Sequence, residues 1–394
     1  MIGARGALAL RGVAKSIAPT TGGTERPAVQ PMSASEAFAN RTLMREWDLL
    51  ANQASEPNPF MERWYIEPAL SHVAPADVEI IAVHDGGLIG IIALHGEANY
   101  AGLPLRHRRN WLNHNAFLGT PLVRKGGEYR FWQLLLAHLD TLPGNDLFLH
   151  LSGLPTEGPV AAALGHVCRA ERRRFALVHR EERALLEHGL APEAYLETHV
   201  RGKKRKELRR QHKRLAEEGM LAFERIFGTE ALDAWVDEFL ALERAGWKGT
   251  NGSALSCAPG TEALFRHCLH GAAAAGKLER LALRLDGRAI AMLATFLSVP
   301  GAYSFKTAFD EDYARFSPGV LLQIENLALL ERSDILWCDS CAAADHPMID
   351  SLWAGRRSIG RYSVAIGGTA RRAAFAALLT AERTKAKIKG RAST

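Results

Sequence analysis

Residues 78–95, VEIIAVHDGGLIGIIALH, form two β-rich apolar runs broken at an Asp-Gly, and residues 278–296, LERLALRLDGRAIAMLATF, repeat the arrangement. An Asp-Gly between such runs is a strong hairpin signal, because the favoured tight turn needs positive φ at its centre. The same succession follows each hairpin. After the second, AYSFKTAF (302–309) reads as a strand, and Val320, Leu321, Ile324, Leu327 and Ala328 mark one face of a helix. After the first, HNAFLGTPLV (114–123) precedes a second helical pattern, YRFWQLLLAHL (129–139). Asp85 and Asp286 occupy equivalent turns 201 residues apart, so the pattern predicts two similar units in tandem.

The second unit reads to its end. A strand at Leu221 to Phe227 leads to a helix with Leu232, Trp235, Val236, Phe239 and Leu240 on one face. A helix after Pro259-Gly260-Thr261 buries Leu264, Phe265, Cys268 and Leu269. Beyond the hairpin, strand and helix already described come a strand around Ile335 to Asp339, a short helix near Ile349 to Ala354 and a strand Ser358 to Ile366. The order β-α-α-β-β-β-α-β-α-β implies an α/β (α+β) unit, a mixed sheet with helices on both faces.

Composition narrows the class. At 394 residues the chain exceeds one ordinary hydrophobic core, and 47% hydrophobic with 23% charged residues is that of a soluble globular protein. The net charge of +6 is concentrated in residues 201–214, which hold nine Lys or Arg, and in the C-terminal tail. The five cysteines, an odd number scattered over a long chain, fit a reducing compartment. No stretch nears the roughly 20 apolar residues that cross a bilayer. A cytoplasmic protein is therefore expected, with a disordered, Arg- and Ala-rich tail over 1–38.

Ser317-Pro318-Gly319 stands where the central strand of the second unit enters its helix. Pro318 in the first turn lacks only an N–H that the helix leaves unpaired, Ser317 suits the N-cap, and Gly319 removes the side chain that would keep a ligand off the backbone. Such a helix start offers free N–H groups and a positive dipole end to a pyrophosphate, although an isolated Ser-Pro-Gly is more often a plain cap, and it is the strand-to-helix context that favours the ligand.

The chain resembles the GNAT acetyltransferases, and more specifically the CelD/BcsL-type family. The resemblance rests on RKELRRQHKRLAEEG (205–219), LERAGWKGTNGSAL (242–255), LALRLDGRAIAMLATF (281–296), FKTAFDEDYARFSPGVLL (305–322) and DSCAAADHPMIDSLW (339–353). It is best over 195–366 and weaker over 40–190. It implies two tandem GNAT-like domains: an N-terminal, non-catalytic one at 39–190, a basic linker helix at 191–220, a catalytic one at 221–366, and a basic tail at 367–394. It also implies an acyl-coenzyme A donor, acetyl-CoA or another, held by Phe316, Ser317, Gly319, Val320 and Leu321. The acceptor would be a small molecule or saccharide amine or hydroxyl, with a link to exopolysaccharide carried by the family name alone. The usual Gln/Arg-x-x-Gly-x-Gly/Ala loop is replaced by Arg315-Phe316-Ser317-Pro318-Gly319-Val320, which leaves the donor open. Fem-type transferases pair two such domains and take an aminoacyl group from transfer RNA, so that reading stands as the alternative. A catalytically silent binding protein is a third.

Acyl transfer needs a base for the acceptor and a proton for the leaving group. Asp339 and His346 are the first candidates, with a turn cap and a loop surface as their plain readings, and Glu311 is the third, against a solvated turn. Trp247 and Lys248 are placed to close over the acceptor, against the ordinary readings of a core tryptophan and a solvated lysine. Lys306, in an apolar-aromatic strand, calls for an anion. Cys338 and Cys341 form a lone C-x-x-C without the second pair that a zinc site wants, so no metal is expected; Cys338 reads as structural and Cys341 as a remote nucleophile. The basic run at 201–214 lacks the interleaved aromatics of a single-strand platform, so nucleic acid is not an expected partner except as a transfer RNA donor. In the C-terminal tail, Phe375, Leu378 and Leu379 mark the apolar side of a basic helix that would suit a membrane surface.

Overall fold

The protein is described by a computed structural model covering residues 26–75 and 77–392, with side chains to residue 382. Its strands are β1 (Ala28–Ser33), β2 (Glu79–His84), β3 (Leu88–Glu97), β4 (His107–Asn110), β5 (Leu122–Val123), β6 (Phe148–Pro155) and β7 (Phe175–Glu187) in the first half. The second half supplies β8 (Leu221–Phe227), β9 (Leu278–Leu285), β10 (Arg288–Ser298), β11 (Gly301–Phe309), β12 (Trp337–Asp339) and β13 (Gly355–Ala365). The helices are α1 (Ala34–Ala39), α2 (Arg41–Gln53), α3 (Arg63–His72), α4 (Glu128–Thr141), α5 (Pro159–Ala170), α6 (Pro192–His199), α7 (Gly202–Ala216), α8 (Leu232–Ala245), α9 (Trp247–Thr250), α10 (Pro259–Ala274), α11 (Pro318–Glu325) and α12 (Thr369–Ala392).

Both expected hairpins form. Leu285 pairs with Arg288 across the two-residue turn Asp286-Gly287, with φ of 48° and 82°, whereas His84 pairs with Leu88 across a three-residue turn. The tandem pattern is real, but the two halves do not make two sheets. The strands run β1-β2-β3-β4-β6-β13-β7-β12-β11-β10-β9-β8, with β5 on β3. From either edge one crosses five strands of one half and then the last strand of the other. β13 pairs with β6 and β7 with β12, and the two exchanged strands pair antiparallel with each other at the centre.

Burial follows the same logic. The largest apolar cluster joins Trp47, Phe60 and Tyr65 of the first half to Phe239, Phe265, Phe296 and Phe305 of the second. Polar ties cross the same boundary: Lys277 Nζ pairs with Glu62 at 2.5 Å, and Ser298 Oγ donates to Glu62 Oε1 at 2.6 Å.

Several sequence expectations change. Residues 28–33, placed in the tail, form edge strand β1 against β2, where Pro31 is tolerated because an edge strand has one unpaired side; residues 1–25 lie outside the described part. The stretch expected as a linker folds as two helices, α6 and α7, the second with Leu208 and Leu215 buried. The short helix expected near Ile349 is a turn, in which Leu352 N and Trp353 N both donate to Ile349 O, confined between Pro347 and strand β13. The apolar side of α12 does not face outward. Phe375 and Leu379 are buried, and Phe375 stacks on Phe148 at 5.1 Å. No helix among the described residues is long and apolar enough to cross a membrane.

Glu56 closes the N-terminus of α5, accepting from Val160 N at 3.2 Å. Burial pushes its carboxyl up to about 7, against the opposing Val160 hydrogen bond and Arg357 charge. A raised carboxyl pKa means the folded state holds a proton that the unfolded chain releases, so stability falls as pH rises from 4.5 to about 7. Glu56→Gln keeps the shape and an acceptor. It is expected to flatten that slope and raise stability at pH 8 by about 3 kcal/mol, read by urea unfolding at pH 5 and pH 8.

Candidate functional site

β11 and β12 are parallel neighbours only over Gly301–Tyr303 and Trp337–Asp339. Beyond Tyr303 they part: β12 ends, and Ser340 N turns to Ala184 O of β7. Ser304 to Phe309 remain paired with β10 alone. A cleft of 580 Å³ opens there. Its walls are Ser304 to Thr307 of β11, Ser317 to Val320 at the foot of α11, the loop Ser340 to Ala342 with His346 and Met348, and Trp247 and Lys248 of α9. Phe117, from the first half, completes it.

The matching gap in the first half is bridged. Asn110, at the end of β4, donates to Ser152 O at 2.8 Å and accepts from Ser152 N at 2.8 Å, while Gly119 N donates to Gly153 O. The chain's own loop thus occupies the space between β4 and β6.

The foot of α11 differs from the expected cap. Ser317 has φ 54° and ψ 53°, a left-handed conformation, and its side chain caps no helix N–H. Its Oγ instead accepts from Gln211 Nε2 of α7 at 3.2 Å, so the basic helix is docked on this loop. Val320 and Leu321 N–H groups bond Ser317 O. Pro318 has no N–H, and Gly319 N–H has no partner among the described residues. A Cβ at Gly319 would lie 3.2 Å from Met348 Sδ and 3.4 Å from Phe309, a close fit that explains glycine here. Of the other residues assigned to the donor, Val320 lines the cleft, whereas Phe316 and Leu321 are buried in the apolar layer beneath it. Their spacing did not show the side each faces.

Among the candidate acids and bases, His346 lines the cleft, and its Nδ1 is buried without a hydrogen-bond partner. Asp339 does not line it. It is fully buried, with Oδ2 accepting from Arg183 at 2.6 Å and Arg357 at 2.9 Å, and Oδ1 from Cys341 N at 2.9 Å. Burial alone would raise its pKa, but the Arg183 and Arg357 charges and the hydrogen bonds hold it below the usual carboxylate range. Such a carboxylate organises the turn after β12 and is a poor proton acceptor. Glu311 is exposed outside this cleft and accepts from Trp247 N at 2.6 Å, which anchors α9.

The three residues assigned to substrate all reach the cleft. Trp247 is 53% exposed at its rim. Lys248 is half-buried and paired: it bonds Glu243 at 2.8 Å and donates to Thr307 O at 3.2 Å. Lys306 follows a bulge at Phe305, where the register steps from Ala294/Lys306 to Thr295/Ser304. Its Nζ lies 5.4 Å from the Phe117 ring and 5.7 Å from the Phe305 ring, with no hydrogen bond or ion pair among the described residues. Burial, with the Lys248 charge, lowers its pKa to about 8.

Cys341 also lines the cleft, but burial pushes its thiol well up, which disfavours a nucleophilic thiolate. Cys338 is buried, as a structural cysteine should be. Sequence reasoning passed over Arg183, Arg357 and Phe117, whose roles depend on the strand exchange and on a loop of the other half. No group of three or more potential metal ligands is assembled among the described residues.

Residues 202–346 match the acetyltransferase (GNAT) domain family. A search of curated proteins finds no match by sequence. Solved structures share the whole architecture. The chain is similar to FemX at 13% identity and a TM-score of 0.52, covering 81% of this chain and 95% of that one. A conserved protein of unknown function from Bacteroides thetaiotaomicron aligns at 12% identity and a TM-score of 0.52, over 82% and 97%. The C-terminal domain of a putative lysylphosphatidylglycerol synthetase from Agrobacterium fabrum aligns at 13% and 0.50, over 87% and 96%. At these identities the likeness is one of fold. The segment 202–346 thus matches a GNAT domain model and lies within a doubled α/β architecture.

Proposed function

We propose that the chain is an acyltransferase that moves an acyl group, acetyl being the simplest, from acyl-coenzyme A to an amine or hydroxyl acceptor in the cleft between β11 and β12. The observation that carries this reading is the opening of that cleft directly at the foot of α11, beside the unpartnered Gly319 N–H. A donor's diphosphate would be held by the positive end of α11 and its thioester arm by the free edge of β11. Ser317, Gly319 and Val320 are the donor-side residues, and Trp247, Lys248 and Lys306 the acceptor-side ones.

His346 is the proposed base. It takes the acceptor's proton as the nucleophile's lone pair bonds to the carbonyl carbon; the C–S bond breaks with its electron pair on sulfur, and the proton returns to the thiolate. Asp339 is a positioning residue for the Ser340–Cys341 turn. The first half, its own gap bridged by Asn110, serves by placing Phe117 in the wall.

A second reading is favoured by one observation. Helix α7 docks on the Ser317 loop through Gln211 and leaves Lys203, Lys206, Arg209, Lys213 and Arg214 exposed, a surface that suits the phosphates of a charged transfer RNA. Calorimetric titration separates the two. Saturable 1:1 heat with coenzyme A, acetyl-CoA or a longer acyl-CoA is expected. No heat with any of them, together with a complex with charged transfer RNA, would transfer the assignment to an aminoacyl donor.

A further inference from the structure

We propose that the acceptor is an anion, a small molecule carrying a carboxylate or phosphate beside its nucleophile, and that Lys306 is the residue that selects it. This deepens the reading above and rests on it for the transfer step only.

The cleft contains Lys248, Lys306 and His346 and no Asp or Glu among its described lining. The Lys248 charge is consumed by Glu243, whose other oxygen accepts from Leu255 N at 2.8 Å. That leaves the Lys306 ammonium as the charge without a counter-ion. The groups that face it are Lys248 of α9, Glu243 of α8, Cys268 of α10 and Cys341 of the turn after β12, and none of them bonds it. Two aromatic faces, Phe117 and Phe305, are a partial substitute for water. A partly dehydrated cation with no protein partner is costly, and a ligand's anionic group offsets that cost on binding.

The anion belongs to the acceptor and not to the donor's diphosphate. Gly319 packs against Phe309, and Lys306 is three residues back along β11, about 10 Å at the usual strand rise. Its neighbours Phe117, Phe305 and Cys268 belong to the apolar layer of α8 and α10, whereas Val320 and Leu321 of α11 belong to the other layer.

The sign of the pH dependence follows. With a folded pKa near 8, below the usual lysine value, Lys306 is charged and competent for an anion below pH 8, and anion binding weakens as pH rises through that value. The same depression makes the empty protein less stable below pH 8 and relieves it as pH rises toward 10.5.

The test is the reactivity of Lys306 in the intact protein, read by trace acetylation with acetic anhydride at pH 8 and peptide mass spectrometry. Probes are compared as charged and neutral twins: lactate with lactamide, and glycerol phosphate with glycerol. An anion that raises the Lys306 pKa by one unit is expected to slow its labelling about fivefold, with no effect of the neutral twin. Lys306→Met is expected to raise the thermal midpoint of the empty protein at pH 7, which a lysine holding the fold together would not do. Equal labelling with both members of each pair, or a lowered midpoint in Lys306→Met, overturns the proposal. Protection by coenzyme A but not by neutral pantetheine, with the small anions inactive, assigns the anion to the donor and also overturns it. Because the lysine itself is read out, no acyl donor is needed, and failure of coenzyme A to bind in calorimetry leaves the outcome interpretable.

Discussion

Asp339→Asn is expected to destabilise the protein by about 3–5 kcal/mol, the range for removing one partner of a buried ion cluster. The carboxylate is fully buried between Arg183 of β7 and Arg357 of β13, the two strands exchanged between halves, so its loss leaves two guanidinium groups facing each other without a counter-charge. Arg357 also lies over the Trp337 ring at 4.4 Å, and Arg183 donates to Phe117 O at 2.8 Å, so the damage reaches the centre of the sheet and the cleft wall together. Urea unfolding at pH 7 measures the effect. A change under about 1 kcal/mol, the worth of an exposed pair, would show that the cluster is dispensable. The pH dependence has a definite sign. The folded Asp339 pKa lies below its ordinary 3.8, so its contribution is present above that value and is lost as pH falls through the folded pKa. The mutant's unfolding should lack that acid limb.

Gly319→Asp is expected to weaken donor binding by about 100-fold while leaving the fold intact. At 3.2 Å from Met348 Sδ and 3.4 Å from Phe309, the new Cβ fits only if these side chains give slightly, and the carboxylate enters the cleft at the foot of α11. A carboxylate at a helix start is favourable by about 0.3–1 kcal/mol, so thermal stability should hold. Against a bound diphosphate it is repulsive by about 4 kcal/mol at 4 Å for an effective dielectric of 20, more than the roughly 2.7 kcal/mol of a 100-fold loss. Calorimetry with coenzyme A on the variant and the parent checks this. Unchanged affinity in a folded variant would mean that no donor phosphate sits at this helix.

His346 and Asp339 show where sequence reading stops. Both stand in one loop of plausible polar residues, and nothing local distinguishes them. The fold makes one an open cleft residue and the other the centre of an ion cluster, because the arginines that claim Asp339 arrive from positions 183 and 357 on strands that meet only in the assembled sheet. Phe316 and Leu321 make the same point: they lie beside Ser317 and Val320 in the chain but face the apolar layer.

What the amino-acid order determined alone was the repeated hairpin, strand and helix, and the Ser-Pro-Gly entry to the helix of the second unit. Those features live in residues a few positions apart, where turn chemistry and apolar period act directly on the backbone. Tertiary structure alone decided that the final strands change places, that the halves share a core, that the gap in the second half stays open while that in the first is bridged, and that Lys306 has no partner among the described residues. Each of those depends on contacts between segments far apart in sequence, which periodicity within one segment does not encode.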